Sequence, residues 1–454
     1  MTMRNRFFIF SLLVLSLVAV VAPAAAQDTP VNVPVWVAFT DYRLDWAKEK
    51  AAAFNELFPQ YNVTVEGYAN YEELFTATAL AAEQGSLPAV VQYFEVATQD
   101  ARDSGYFKSI ASALAGREEV NGIPVAMEDF VQPVAAYYTL DGEFTSMPWN
   151  TSSAIWFSNM NLLSEAGIDA PPATWAELDA ACEAIMALDD APEYCWSFPN
   201  HGWFFEQWLA QQNGEFANNE NGRAARATEV TFNNEAGLAV LNWMDEQAAK
   251  GYLYYSGAQG GDSWSTVDQA FLGGQVAMAA YSSSDTRVYT ETGAENGFEV
   301  LASFLPYNDE TGWTGNLIGG ASLWLVDGLD TAVEDGALSF LLWFTNTENQ
   351  AEWAQITGYF SVRQSSVDLL TEEGFFDENP NFRVAPDQIA QSQVTPATSG
   401  ALMGAFPAIR NIVTQAVDTV LLTDDDPQAV LDAAAAEANT ILEEYNLLNA
   451  PEGE

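Results

Sequence analysis

The chain has 454 residues, with 15 Lys+Arg against 63 Asp+Glu and a formal net charge of -48. Hydrophobic residues make up 49% and aromatics 13%, enough for large cores and against intrinsic disorder. Charge of this sign repels phosphate backbones and anionic headgroups, so nucleic acid is excluded as a partner. Length predicts two or three domains, or one large two-lobed unit.

The chain opens with an address. Arg4 and Arg6 form a basic n-region, and Phe7 to Val21 is apolar except for Ser11 and Ser16. Ala24-Ala25-Ala26 then offers a small-residue cleavage site, so residues 1–26 read as a secretory signal peptide. No Cys follows the apolar run, so no lipoprotein anchor is encoded, and a secreted, periplasmic or extracellular, monomeric protein is expected.

Alternating Val33, Val35, Val37 and Phe39 predict a strand, and Leu44 to Phe58 a helix stopped by Pro59. Tyr61 to Tyr68 alternates again, Tyr71 to Gln84 has helical spacing closed by Gly85, and Pro88 to Phe94 is a short apolar strand. This order implies an α/β unit with a largely parallel sheet, whose ligands sit beyond the carboxyl ends of the strands. Those ends carry Asp41, Tyr71 and Glu95.

A second α/β stretch follows, with a strand over Ser153 to Ser158 and a short helix over Asn161 to Ala166. Thr174 with Glu177 makes a capping box for a helix to Ala187. Helices are expected over Asn233 to Lys250, Val267 to Leu272, Val333 to Thr345 and Ala429 to Tyr445. Strands are expected over Val276 to Ala280 and Leu317 to Val326. Cys182 and Cys195, the only two cysteines, form one local disulfide in an oxidising compartment or remain as two buried thiols. His201 is the only His, which excludes zinc sites built on His or Cys clusters. It reads as a loop or cleft-rim residue. No P-loop, nucleophile elbow or metal motif occurs, and no cofactor is expected.

Four motifs carry a family resemblance. They are Met147-Pro148-Trp149-Asn150-Thr151-Ser152-Ser153, then Thr174-Trp175-Ala176-Glu177-Leu178, then Phe271-Leu272-Gly273-Gly274-Gln275-Val276-Ala277-Met278, and Gly319-Gly320-Ala321-Ser322 followed by Gly358-Tyr359. Together they resemble the extracellular solute-binding proteins of ABC importers, in the maltose-binding-like class. The resemblance implies an α/β, two-lobed periplasmic-binding-protein fold with hinge crossings near Asn150, Leu317 and Val362. Lobe 1 would comprise residues 27–150 plus 317–362, and lobe 2 residues 151–316 plus 363–454. Asn70-Tyr71-Glu72, Gln92-Tyr93-Phe94-Glu95-Val96 and Phe406-Pro407-Ala408-Ile409-Arg410 are similar to the branch that takes glycerol-3-phosphate and glycerophosphodiesters. That branch implies ligand contacts at Tyr71, Glu95, Ser152, Trp203, Gly320 and Arg410, with Ser282, Ser283 and Tyr359 nearby. Membership implies ABC permease subunits as partners.

The chemistry fits a phosphorylated polyol or a sugar. Glu95 offers acceptor oxygens to hydroxyls, while Tyr71, Trp203, Trp264 and Tyr359 offer faces for C–H surfaces. Arg410 suits a phosphate, or else an inter-helix salt bridge, and Gly319-Gly320 offers backbone N–H groups or simply a tight crossing. Two other readings stand beside this one. A neutral oligosaccharide receptor would use the same fold, and a secreted carbohydrate-active enzyme would need two carboxylates at a defined spacing.

Overall fold

The computed structural model describes residues 29–449; the predicted signal peptide lies outside them. The first strands and helices follow in the expected order: β1 (Val31–Val37), α1 (Tyr42–Leu57), β2 (Tyr61–Gly67), α2 (Tyr71–Glu83) and β3 (Val90–Phe94). Caps set where the helices begin. The Asp41 side chain accepts from the Arg43 N–H ahead of α1, and that of Asn70 from the Glu73 N–H ahead of α2. The chain continues through α3 (Thr98–Asp103), β4 (Phe107–Lys108), α4 (Gln132–Tyr138) and β5 (Met147–Ser152).

One residue, Ser153, separates β5 from β6 (Ala154–Asn159), which belongs to a second sheet. Then come α5 (Trp175–Met186), β7 (Tyr194–Ser197), α6 (Gly202–Gln211), α7 (Glu235–Ala249) and β8 (Leu253–Tyr254). After α8 (Gly261–Leu272), β9 (Val276–Ser282) and β10 (Val300–Phe304), β11 (Gly319–Val326) returns to the first sheet. It leads into α9 (Thr331–Phe344) and α10 (Thr347–Ile356). The chain ends with α11 (Val384–Gln391), α12 (Phe406–Leu422) and α13 (Pro427–Asn449).

The first sheet has the order β2-β1-β3-β11-β4, with β5 also on β11. Its β1 runs parallel to β2 and β3, but β11 is antiparallel to β3, β4 and β5. The sheet is therefore mixed rather than largely parallel, because β11 enters from the other sheet in the reverse direction. The second sheet runs β8-β7-β9-β6-β10.

The crossings lie side by side. Gly319 pairs with Ser152, Gly320 with Thr151, and Thr151 bridges Phe360 on its other side. Ser153 is held from three directions. Its N–H donates to Ser283 Oγ (3.2 Å), its hydroxyl to the Leu317 carbonyl (3.0 Å), and Gln388 Nε2 donates to its Oγ (3.0 Å). Gly320 has φ +97°, and a Cβ there would stand 2.0 Å from the Asn150 carbonyl oxygen, so only glycine fits.

Cys182 in α5 and Cys195 in β7 are joined by a disulfide with S–S 2.06 Å. Thr174 Oγ1 accepts from the Glu177 N–H (3.1 Å), while the Glu177 carboxylate takes the Ala173 N–H (2.8 Å), one residue before the usual capping-box donor. Periodicity missed α6 entirely, because all of its residues are buried, Glu206, Gln207 and Gln211 included, so no solvent-facing side sets a period. One apolar cluster runs from Val91, Phe94 and Ala101 into Phe406, Ile409 and Leu442, so the two sheets share a packed interface. Among the described residues no helix is long and apolar enough to cross a membrane.

Candidate functional site

The carboxyl end of β3 delivers Glu95 to this interface. Phe94 and Val96 flank it in the buried core, and a one-turn 3-10 helix starts at Glu95 itself. From the opposite side, α6 brings Glu206 and α12 brings Arg410. Gly202 lets these helices meet closely, since a Cβ there would sit 2.7 Å from the Arg410 carbonyl oxygen. The Gly202 N–H donates to Thr414 Oγ1 at 2.9 Å, tying the start of α6 to α12.

The three charges form a buried triad. Arg410 Nε donates to Glu206 Oε1 (2.6 Å) and its Nη2 to Glu206 Oε2 (2.8 Å), a bidentate fork. The same Nη2 lies 2.9 Å from Glu95 Oε1, with the Arg410 and Glu95 side chains 6% and 7% exposed. Burial pulls Arg410 down, but Glu206 and Glu95 more than reverse it and hold the guanidinium above its ordinary range. Burial raises Glu95 above the usual carboxylate range against the opposing charge of Arg410. The triad carries a formal net charge of -1 with both carboxyls ionised.

A hydrogen-bond relay orients the aromatic wall. The Ala38 N–H donates to Gln92 Oε1 (2.6 Å), Gln92 Nε2 to Asn150 Oδ1 (2.8 Å), and Asn150 Nδ2 to the Tyr71 hydroxyl (2.8 Å). The Tyr71 ring stacks on Phe94 with centroids 5.4 Å apart. Burial, then the neighbouring Tyr359, raises the Tyr71 phenol well above its ordinary value. Tyr359 stacks on Trp353 at 5.6 Å. The Tyr137 hydroxyl donates to the Glu95 carbonyl at 3.1 Å.

The remaining expected residues surround the crossings. Trp203 Nε1 points at the Ile318 carbonyl (3.4 Å), and the indole lies so close to Gly319 that a Cβ there would meet Cζ2 at 2.5 Å. Ser152 pairs with Gly319 in the β5–β11 register. Ser282 Oγ accepts from the Ser284 N–H (3.2 Å) and Ser283 Oγ from Ser153, so both hydroxyls already serve the local backbone. Trp264 packs on His201, Phe204 and Tyr281 as part of the core wall. His201, expected in a loop or at a rim, is the N-cap of α6, its Nδ1 accepting the Trp203 N–H at 3.3 Å. Burial and the Arg410 charge push its imidazole down to about 3, so it is neutral. Asn150-Thr151-Ser152 fits the N-glycosylation pattern, but all three residues are buried and the folded chain closes it to modification.

Sequence reasoning missed Glu206, although a signal was present. It is the one carboxylate in the run Trp203-Phe204-Phe205-Glu206-Gln207-Trp208-Leu209, and a charge in such a run must be paired. A second charged group was also missed. Arg43 donates from Nη2 to Asp41 Oδ2 (2.6 Å) and lies 4.7 Å over the Phe39 ring, and Asp285 and Asp41 hold it above its ordinary range despite burial.

Residues 49–384 match the model for bacterial extracellular solute-binding proteins. The sn-glycerol-3-phosphate-binding periplasmic protein UgpB of Salmonella typhimurium is 30% identical over 405 residues, 87% of this chain and 89% of that one. UgpB of Escherichia coli K12 is 28% identical over the same shares. Among solved structures, Mycobacterium tuberculosis UgpB in complex with glycerophosphocholine has TM-score 0.74 at 21% identity, covering 92% of this chain and 99% of that one. The cyclic α-maltosyl-1,6-maltose binding protein of Arthrobacter globiformis has TM-score 0.72 at 21% identity, covering 92% of this chain and 100% of that one. At these identities the likeness shows the two-lobed fold.

Proposed function

The chain belongs to the bacterial extracellular solute-binding protein family, and from that premise we propose that it captures glycerol-3-phosphate or a glycerophosphodiester and delivers it to an ABC permease. The family and the relatives are substrate-binding proteins rather than enzymes. In this reading residues 27–150 plus 317–362 form one lobe and 151–316 plus 363–454 the other. They swing about the paired crossings near Ser153, Gly320 and Phe360 and close on the solute.

The observation that carries the reading is the Glu95–Arg410 contact of 2.9 Å between the two lobes. Separation of the lobes parts the pair, and a solute enters between its members. Glu95 then accepts from hydroxyls, and Arg410 donates to a phosphate while Glu206 keeps the guanidinium aimed. Tyr71, Trp203 and Tyr359 supply faces for the carbon skeleton. Ser152, Ser282, Ser283 and the Gly320 N–H lie at the crossings as donors to the remaining oxygens. Similarity to glycerol-3-phosphate-binding relatives supports the same solute class. A neutral sugar is the second reading, favoured by the two carboxylates that already meet the Arg410 charge.

A thermal-shift panel of the mature protein tests this. The solutes are glycerol-3-phosphate, glycerophosphocholine, maltose, trehalose and glycerol, and the variants are Glu95→Gln and Arg410→Lys. A ligand at about 100 times its Kd adds roughly 2.7 kcal/mol. The reading expects a shift with the phosphorylated solutes that both variants diminish. A shift with maltose or trehalose alone, intact in Arg410→Lys, would establish the sugar reading instead.

A further inference from the structure

A groove of about 1240 Å³ runs between α3 and α4 on one side and the Gly222–Thr228 segment, Leu402 and α13 on the other. Its charged lining comprises Arg102, Asp103, Asp141, Arg223, Arg226 and Glu443. In so acidic a chain, three arginines on one groove are a local concentration of positive charge. Arg226 is spent on Asp103 (2.6 Å), which also accepts from the Tyr445 hydroxyl (3.0 Å), and Arg102 is spent on Asp141. Glu443 stands exposed at the rim.

Arg223 is different. Among the described residues every arginine except Arg223 and Arg363 has a carboxylate within ion-pair distance. Arg363 gives its guanidinium to the Thr345 and Ala126 carbonyls and lies over Phe130. Arg223 gives only Nε, to the Gly400 carbonyl at 2.7 Å, and its buried Nη2 has no partner at all. Its guanidinium lies 4.7 Å from the Tyr137 ring centroid, which fixes its plane by cation–π contact. Burial pulls it below its ordinary value, with only the weak counter-pull of Tyr137 and Tyr138. A guanidinium held by one edge and one face, with a buried Nη2 left without a partner, on a residue that lines a groove, is prepared for an anionic acceptor.

We propose that Arg223 is a second anion-recognition position, holding a second anionic group, such as a further phosphate, of a solute that reaches from the Glu95–Arg410 centre into this groove. It rests on the reading of that centre as the solute site. The link between them is short: Tyr137, under Arg223, donates its hydroxyl to the Glu95 carbonyl at 3.1 Å. The solute class this selects is a phosphorylated compound extending past its polyol, with its charge-assisted bond to Arg223 made only when α4 and the Gly222–Thr228 segment come together.

Binding of inorganic phosphate to the mature protein, measured by calorimetry in wild type, Arg223→Gln, Arg223→Lys and Arg410→Lys, tests the proposal. A charge-assisted hydrogen bond of about 1.5–3 kcal/mol predicts a roughly ten- to hundredfold loss of phosphate affinity in Arg223→Gln. Arg223→Lys, which keeps the charge without the planar fork, should retain part of it, and circular dichroism should match wild type in both. Phosphate binding that survives Arg410→Lys but not Arg223→Gln upholds the proposal even if glycerol-3-phosphate proves not to be the solute. Equal affinities in wild type and Arg223→Gln, or no phosphate binding by wild type, would overturn it while leaving the central site untouched.

Discussion

Arg410 and Arg223, linked through Tyr137 and Glu95, sit in charge environments of opposite kinds. Arg410 is buried and Arg223 half-buried, and burial alone pulls both down. At Arg410 two carboxylates reverse the pull; at Arg223 none is present, and one amino group is left without a partner. A compensated buried cation supports the fold, and removing it leaves two carboxylates stranded. An uncompensated one contributes little to stability and is the better prepared to bind something else. Arg410 thus combines a structural role with its place in the proposed solute site, whereas Arg223 is left with recognition alone.

The largest expected effect separates these roles. Arg410→Ala should lower the unfolding free energy by about 3–5 kcal/mol at neutral pH, because Glu95 and Glu206 are left as unpaired buried charges. Arg223→Gln should change it by less than about 1 kcal/mol. Urea unfolding of both variants checks this, and equal losses would erase the distinction. A change remote from both regions gives the control. Replacing Cys182 and Cys195 with Ser opens a short loop and should cost about 3 kcal/mol, with solute affinity unchanged in calorimetry.

Gly320→Ala comes next. At φ +97° any side chain is strained, and its Cβ would fall 2.0 Å from the Asn150 carbonyl oxygen. A cost of at least about 1–3 kcal/mol is expected in urea unfolding, with weakened binding, because the crossing that aligns the two lobes is displaced.

What could be read from the sequence divides along the same line. The strand ends that carry Tyr71 and Glu95 were legible because alternation marks them locally, whereas Gly320 entered only through the family resemblance. The pairing of Glu95 with Arg410 was not, since the two residues meet only when β3 and α12 pack. Glu206 was hidden because α6 is buried all round and has no solvent-facing side to give it a period. Arg223 lies in a polar segment where Asn219, Glu220 and Asn221 take left-handed backbone, so neither strand nor helix patterning marked it. The antiparallel return of β11 follows from connectivity between the sheets, which local alternation does not record.

The smallest effect concerns pH. Asp100, on the groove side, and Asp268 are raised by burial to about 7 from an unfolded value of 3.8. The folded chain therefore binds their protons between about pH 4 and 7, and stability rises as pH falls through that window. His201 opposes this: its folded value is about 3 against 6.5 unfolded, so stability is lost as pH falls below 6.5. Two carboxyls outweigh one imidazole, and a net gain of about 1 kcal/mol per unit is expected from pH 7 down to about 5. Urea unfolding across that range should show it, and Asp100→Asn should flatten the slope. A slope of the opposite sign would mean these carboxyls are ionised in the fold.

A crystal structure of the mature protein grown with glycerol-3-phosphate tests the central claim most directly. The account predicts the solute inserted between the lobes, its phosphate on the Arg410 guanidinium, a hydroxyl on Glu95, and the Glu206 fork intact. A bound solute elsewhere, with Glu95 and Arg410 still in direct contact, would contradict it.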